Sequence, residues 1–353
     1  MNAMEFLTKA TQIQASDIFI VSGRPLSYKK GGRVLMFDDQ RIMPDRTEVL
    51  IREIYALADR RDITRFIDCG DDDFSFAVPG LSRFRVSTYM QRGSMAAVIR
   101  VITFELPKAS ELGIPDRIID LGKLNKGLVL VTGPAGSGKS TTLACIIDAI
   151  NSSEEKHIIT LEDPLEFLHR HKKSIVSQRE ISSDTDSYIT ALRASLRQSP
   201  DVILLGEMRD FETISVAMTA AETGHLVLST LHTPGAANTI DRIIDVFPPN
   251  QQRQISVQLA SVLQGVVSQQ LVNTTEDNQI PAFELMTVTP AIRNMIRENK
   301  IHQIDGLIYS SAADTMFSMD TSLLRLYKAG RITAEEALSH ASNPDMLQKR
   351  LQH

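Results

Sequence analysis

Gly133-Pro134-Ala135-Gly136-Ser137-Gly138-Lys139-Ser140-Thr141 is a complete GxxxxGK[ST] motif, and its residue types suit it to hold phosphates. Glycines let successive backbone amides curl around an anion, and a helix that starts there adds the positive end of its dipole. Lys139 would reach the β- and γ-phosphates, and the Ser140 hydroxyl would hold magnesium. The apolar run Leu128 to Thr132 precedes the loop and the helical stretch Thr141 to Ile150 follows it, so strand, loop and helix come in the required order. The expected cofactors are therefore ATP and Mg2+. The loop alone does not name the reaction, because kinases, motors and translocases share it.

Carboxylates at the ends of other apolar runs point to hydrolysis. Asp201-Val-Ile-Leu-Leu-Gly206-Glu207 reads as a Walker B strand in which Gly206 stands where many phosphate-loop proteins place a magnesium-binding aspartate. Glu207 is then the acid placed to orient the attacking water. Glu162-Asp163-Pro164-Leu165-Glu166 leaves a further strand; Glu162 is the better candidate for water or metal contact because Pro164 turns the chain directly after it. His225 and His232 flank the strand Leu226 to Thr230, and both are taken as site candidates, with His232 leaving toward the phosphates as a sensor of the γ-phosphate. Neither histidine has a partner at metal-ligand spacing, so magnesium carried by ATP is the one metal inferred. A ring ATPase also needs a cation supplied by a neighbour. Arg83, Arg85, Arg92, Arg100, Arg193 and Arg197 are available, and the sequence does not choose among them.

These residues need a scaffold. The 353 residues, 42% hydrophobic and 23% charged, suit an ordinary globular protein of two domains. A net charge of -5 gives no global attraction to nucleic acid, and none is expected as a partner. Cys69 and Cys145 lie far apart and form no CxxC pair, which argues against a disulfide framework and against a four-cysteine zinc module. No stretch reaches the roughly 18 uninterrupted apolar residues of a membrane span, so a cytoplasmic protein without direct membrane insertion is expected.

Residues 1–106 read as a small α+β domain: strands near 17–21 and 32–37, a helix over 47–58, then a meander through 74–78, 82–89 and 95–102. Two prolines and a glycine make 107–115 the expected linker. From 116 to 353, continuous Val/Ile/Leu runs alternate with helical stretches and the tail is helical. That pattern predicts an α/β domain with a mostly parallel sheet carrying ligands at its carboxyl edge.

Four ordered segments now carry a resemblance: Gly133 to Thr141, Thr160-Leu-Glu-Asp-Pro-Leu-Glu-Phe167, Gly206-Glu-Met-Arg-Asp210 and Thr223-Gly-His to Leu-His-Thr233. They look like the Walker A, Asp box, Walker B and His box of the type II/IV secretion ATPase superfamily. Within it the chain resembles the PilT-like retraction ATPases of type IV pili, through Ala15-Ser-Asp-Ile-Phe-Ile20, Gly80-Leu-Ser-Arg-Phe-Arg85, Gln91-Arg-Gly93, Val176-Ser-Gln-Arg-Glu180 and above all Pro290-Ala-Ile-Arg-Asn-Met-Ile-Arg-Glu-Asn-Lys300.

The resemblance implies a PAS-like N-terminal domain before a RecA-like phosphate-loop domain, a homohexamer, and ATP hydrolysis that powers pilus retraction and twitching motility. It implies docking at the cytoplasmic face of the inner membrane against a pilus platform protein, with a paralogous pilus ATPase as a further partner. It makes Glu207 the catalytic glutamate and Glu162 the Asp-box acid, sets both histidines near the phosphates, and leaves Arg85, Arg92 or Arg100 as trans arginines. The chain departs from the pattern in lacking the histidine of Ser-Asp-Leu-His and in having Ala135 where threonine is common; its Lys29-Lys30-Gly31-Gly32 turn is also more basic. No catalytic group is lost, but the departures leave main and accessory retraction paralogues open. A pilus-extension or type II secretion ATPase remains the alternative; such relatives usually carry an extra N-terminal domain and a four-cysteine insert, neither of which is seen in this sequence.

Overall fold

The computed structural model describes residues 1–102, 106–276, 278–311 and 316–352. The chain divides into two units, Met1–Glu105 with Leu165–Leu168, and Leu106–Pro164 with His169–His353. The segment 107–115, expected as a linker, therefore groups with the second unit. The reason is apolar: Ile114 is buried in that unit's core, and Leu106, Ala109 and Leu112 pack against it.

In the first unit six strands form one antiparallel sheet: β1 (Asp17–Ile20), β2 (Pro25–Lys30), β3 (Arg33–Arg41), β4 (Asp71–Val78), β5 (Ser82–Gln91) and β6 (Ser94–Ile102), ordered β3-β2-β1-β6-β5-β4. β4, β5 and β6 are the expected meander, and β1 then pairs with β6. Three helices accompany the sheet where the sequence suggested one: Ala3–Gln12, Pro44–Leu57 and Thr64–Cys69. The first carries a capping box between Asn2 and Glu5 and buries Phe6 and Leu7; charged Glu5 and Lys9 on its other face mask it as an irregular terminus.

The second unit is built on β7 (Gly127–Thr132), β8 (His157–Glu162), β9 (Ile175–Glu180), β10 (Val202–Leu205), β11 (Leu226–Leu231), β12 (Leu263–Asn273) and β13 (Gln279–Thr287), ordered β13-β12-β7-β11-β10-β8-β9. All neighbours are parallel except the β12–β13 hairpin. Every residue of β7, β10 and β11 is buried, because apolar cores cover both faces of the sheet. Parallel register aligns Leu161, Leu205, Ser229 and Leu130 across the sheet. Residues that follow them in the chain consequently emerge along one carboxyl edge.

Candidate functional site

That edge brings together most of the expected groups. β7 ends at Thr132, the phosphate loop turns, and a 15-residue helix runs from Lys139 to Ser153 with Gly138 at its N-cap. Gly133 and Gly138 have positive φ, 137° and 86°, and both are also confined: a Cβ on Gly133 would lie 2.1 Å from the Gln269 carbonyl oxygen, and one on Gly138 would lie 2.9 Å from Gln269 Nε2. Pro134, Ala135 and Gly136 are exposed on the loop. Lys139 is buried, and its Nζ donates to the Gly133 and Pro134 carbonyls at 2.9 and 2.8 Å, so the ammonium already faces the cradle. Ser140 and Thr141 begin the helix and are half-buried. Among the described residues the buried Ser137 Oγ has no hydrogen-bond partner, a polar atom the loop itself leaves unsatisfied.

Two strands away, β10 delivers Gly206 and Glu207. Arg209 Nη2 lies 2.6 Å from Glu207 Oε1, and His232 Nε2 lies 3.5 Å from Glu207 Oε2. The Glu207 side chain is 13% exposed and that of Arg209 77%, so a sheltered carboxylate is held by a cation reaching in from solvent. The hydrogen bond to Glu207 pushes the Arg209 guanidinium above its ordinary range. Thr230 Oγ1 donates to the Gly206 carbonyl and Met208 N–H to the Thr230 carbonyl, which ties the β10 exit to β11. Glu162 closes β8 beside this exit, where Gly206 N–H donates to the Leu161 carbonyl.

The two histidines part company. His232 follows β11 at the carboxyl edge, in contact with Glu207. His225 precedes β11 at the opposite edge, where its carbonyl accepts from Gly127 N–H and its Nδ1 lies 2.9 Å from the Ala220 carbonyl oxygen. Six strand residues at ~3.3 Å each put about 20 Å between the two edges. The placement of His225 near the phosphates is corrected: a strand that crosses the sheet sends its two flanks to opposite rims.

Arg85, Arg92 and Arg100 belong to the first unit. Arg85 on β5 pairs across the ladder with Arg100 on β6, Arg100 Nε lies 3.1 Å from Asp17 Oδ1, and exposed Arg92 sits at the β5–β6 turn with φ 51°.

Sequence reading missed Gln269. It is buried on β12, and its Oε1 accepts from Thr142 Oγ1 at 2.7 Å, directly under the phosphate loop. Nothing local signals it, because a glutamine between Ser268 and Gln270 carries no motif spacing. Among the described residues, no three His, Cys, Asp or Glu side chains cluster as a metal site. The Ser140 hydroxyl and the carboxylates of Glu162 and Glu207 are hard oxygen donors of the kind magnesium takes, which suits an ion arriving on a nucleotide. No helix among the described residues is long and apolar enough to cross a membrane.

A family model described as type II/IV secretion system protein matches residues 2–306. The chain is 42% identical to the type IV pilus retraction ATPase PilT of Pseudomonas aeruginosa, over 98% of this chain and 99% of that one. It is 38% identical to the type IV pilus ATPase PilU of the same organism, over 94% and 86%. A crystal structure of the pilus retraction motor PilT with bound ADP superposes with a TM-score of 0.89 at 43% identity, covering 99% of both chains.

Proposed function

This chain belongs to the type II/IV secretion system protein family as a PilT-like ATP hydrolase, and on that premise we propose that it is a hexameric motor powering type IV pilus retraction. The observation that carries the reading is the shared carboxyl edge, where the Lys139 loop, Glu207 and His232 meet on adjacent strand ends. In this reading the loop amides and Lys139 bind phosphates, and Ser140 would hold Mg2+, which supplies charge neutralisation when bound. Glu207 orients the water, Glu162 assists it, and His232, within reach of Glu207, reports the γ-phosphate. One of Arg85, Arg92 and Arg100 crosses to a neighbouring subunit as the cation in trans. His225 has a structural part only. The motor acts in the cytoplasm on an inner-membrane platform protein.

Retraction is supported by 42% identity, over 98% of this chain, to a protein named for it. The PilU match favours a second reading, an accessory retraction ATPase that works beside a main one. Purified wild type should hydrolyse ATP without stimulation by single-stranded DNA, and Lys139→Ala and Glu207→Gln should each lose on the order of a hundredfold or more in kcat. Turnover that survives both substitutions sinks the reading. In the cell, deletion should leave excess surface pili and abolish twitching in a main motor. Loss of pili would refute retraction, and defects seen only when a second ATPase is impaired would identify the accessory paralogue.

A further inference from the structure

The glycine at the end of β10 has a neighbour that accounts for it. Gly206 lies outside the positive-φ region, so its backbone does not demand glycine. Space does. A Cβ built there would lie 2.6 Å from Tyr188 Oη, 3.2 Å from the Leu161 carbonyl oxygen and 3.5 Å from Glu162 Cα. Three groups thus converge on the volume that a Walker B side chain at 206 would fill, and one of them is a hydroxyl from another element.

Tyr188 is the first residue of the helix Tyr188–Ser195, which is capped by Ser187 Oγ accepting from Thr190 N–H. Its ring packs against the core cluster that contains Leu161 and Leu205, the last apolar residues of β8 and β10. The ring is anchored beneath the carboxyl edge and carries its polar atom up to it. A phenol with its ordinary pKa of about 10 keeps its proton at working pH.

We propose that Tyr188 is a positioning residue of the hydrolytic centre, its hydroxyl occupying the place left by the missing side chain at Gly206 and there holding the carboxylates of Glu162 and Glu207, and the water between them, in register. A neutral O–H suits that place. It donates to a carboxylate and accepts from water at once, and unlike an aspartate it adds no fourth negative charge beside Glu162, Asp163 and Glu207. The inference rests on the ATP-hydrolase reading above.

Two substitutions, singly and combined, test it. Tyr188→Phe keeps the ring and its packing and removes only Oη. It should lower kcat roughly ten- to a hundredfold while KM for ATP, melting temperature and mant-ADP affinity stay within about twofold or 2 °C of wild type. It should also raise the Mg2+ concentration needed for half-maximal mant-ATP binding, a readout that does not depend on turnover. Gly206→Ala drives a methyl group into Oη and should be nearly inactive. Gly206→Ala combined with Tyr188→Phe should recover part of the way towards Tyr188→Phe alone, because the nearest overlapping atom is gone while the Leu161 carbonyl oxygen stays 3.2 Å from the new methyl group. A Tyr188→Phe enzyme with wild-type kcat and wild-type Mg2+ dependence overturns the inference, as does a double variant no better than Gly206→Ala. A wild-type chain that neither binds nor hydrolyses ATP would instead sink the hydrolase reading.

Discussion

Thr142→Val removes one oxygen from under the phosphate loop, and its consequences can be worked out. Thr142 Oγ1 donates to Gln269 Oε1 at 2.7 Å, and the two residues are 1% and 2% exposed. Valine matches threonine in shape, so the variant opens no cavity. It leaves the side-chain oxygen Gln269 Oε1 buried without its Thr142 donor, which costs about 1–3 kcal/mol. In a unit of this size each kcal/mol moves the melting temperature by about 2–4 °C, so the transition should fall by roughly 2–12 °C. Affinity should fall as well, because Gln269 Nε2 would lie 2.9 Å from a Cβ on Gly138 and any turn of the amide shifts that glycine. Adding Gln269→Met replaces both polar partners with apolar groups of similar volume. That double variant should regain most of the lost stability, since removing a buried pair together is nearly neutral, yet should still bind mant-ADP more weakly than wild type. Scanning calorimetry and mant-ADP titration on the four proteins of the cycle decide the matter. Additive losses of melting temperature in the double variant would refute the reasoning, and unchanged nucleotide affinity would refute the link to the loop.

Asp72 in the first unit is 1% exposed; Arg61 donates to it at 2.9 and 3.0 Å and Tyr55 Oη at 2.9 Å. Burial alone would raise its carboxyl, but the hydrogen bonds from Arg61 and Tyr55 outweigh burial and hold it below the usual range. A depressed acid contributes stability above its unfolded value, near pH 3.9, and loses it as pH falls through the folded value. Arg61→Ala should therefore destabilise the first unit by about 2–3 kcal/mol at pH 7, less than for a fully buried pair because Arg61 is partly exposed, and should flatten the acid limb of a pH–melting series; an unchanged limb contradicts this. Glu284 on β13 has the opposite sign: burial raises its carboxyl, with Asp305 and Asp320 adding to the shift, although it accepts from Ala236 N–H. A raised acid costs stability as pH climbs from its unfolded value towards its folded one, so Glu284→Gln should gain on wild type in melting temperature as pH rises above about 4.3, whereas a constant gap would show that charge is not the cause.

The candidate site at the carboxyl edge was legible where chemistry and chain order coincide. Gly133 to Thr141, Glu162 and Glu207 each follow an apolar run, and in a parallel sheet the ends of such runs emerge on one side, so three separate segments meet there. His225 failed the same logic because its box was taken as one unit, although the strand between its two histidines carries them to opposite rims. The short amphipathic helix at Ala3–Gln12 and the strand β2 also escaped: Glu5 and Lys9 interrupt the apolar residues of the helix despite its capping box, and β2 is stabilised by its sheet neighbours rather than by a local pattern.

By itself the sequence determined that the chain binds a nucleotide, because a phosphate cradle is made of consecutive backbone amides and its chemistry is local. It also determined a parallel sheet, through runs too apolar to face water on either side. Only the tertiary structure decided what surrounds the cradle. Gln269 beneath Gly138, Arg209 on Glu207 and Tyr188 in the space beside Gly206 are brought in by elements distant in the chain or by side-chain direction. Contacts of that kind depend on which strands become neighbours and in what register, and no local spacing encodes them.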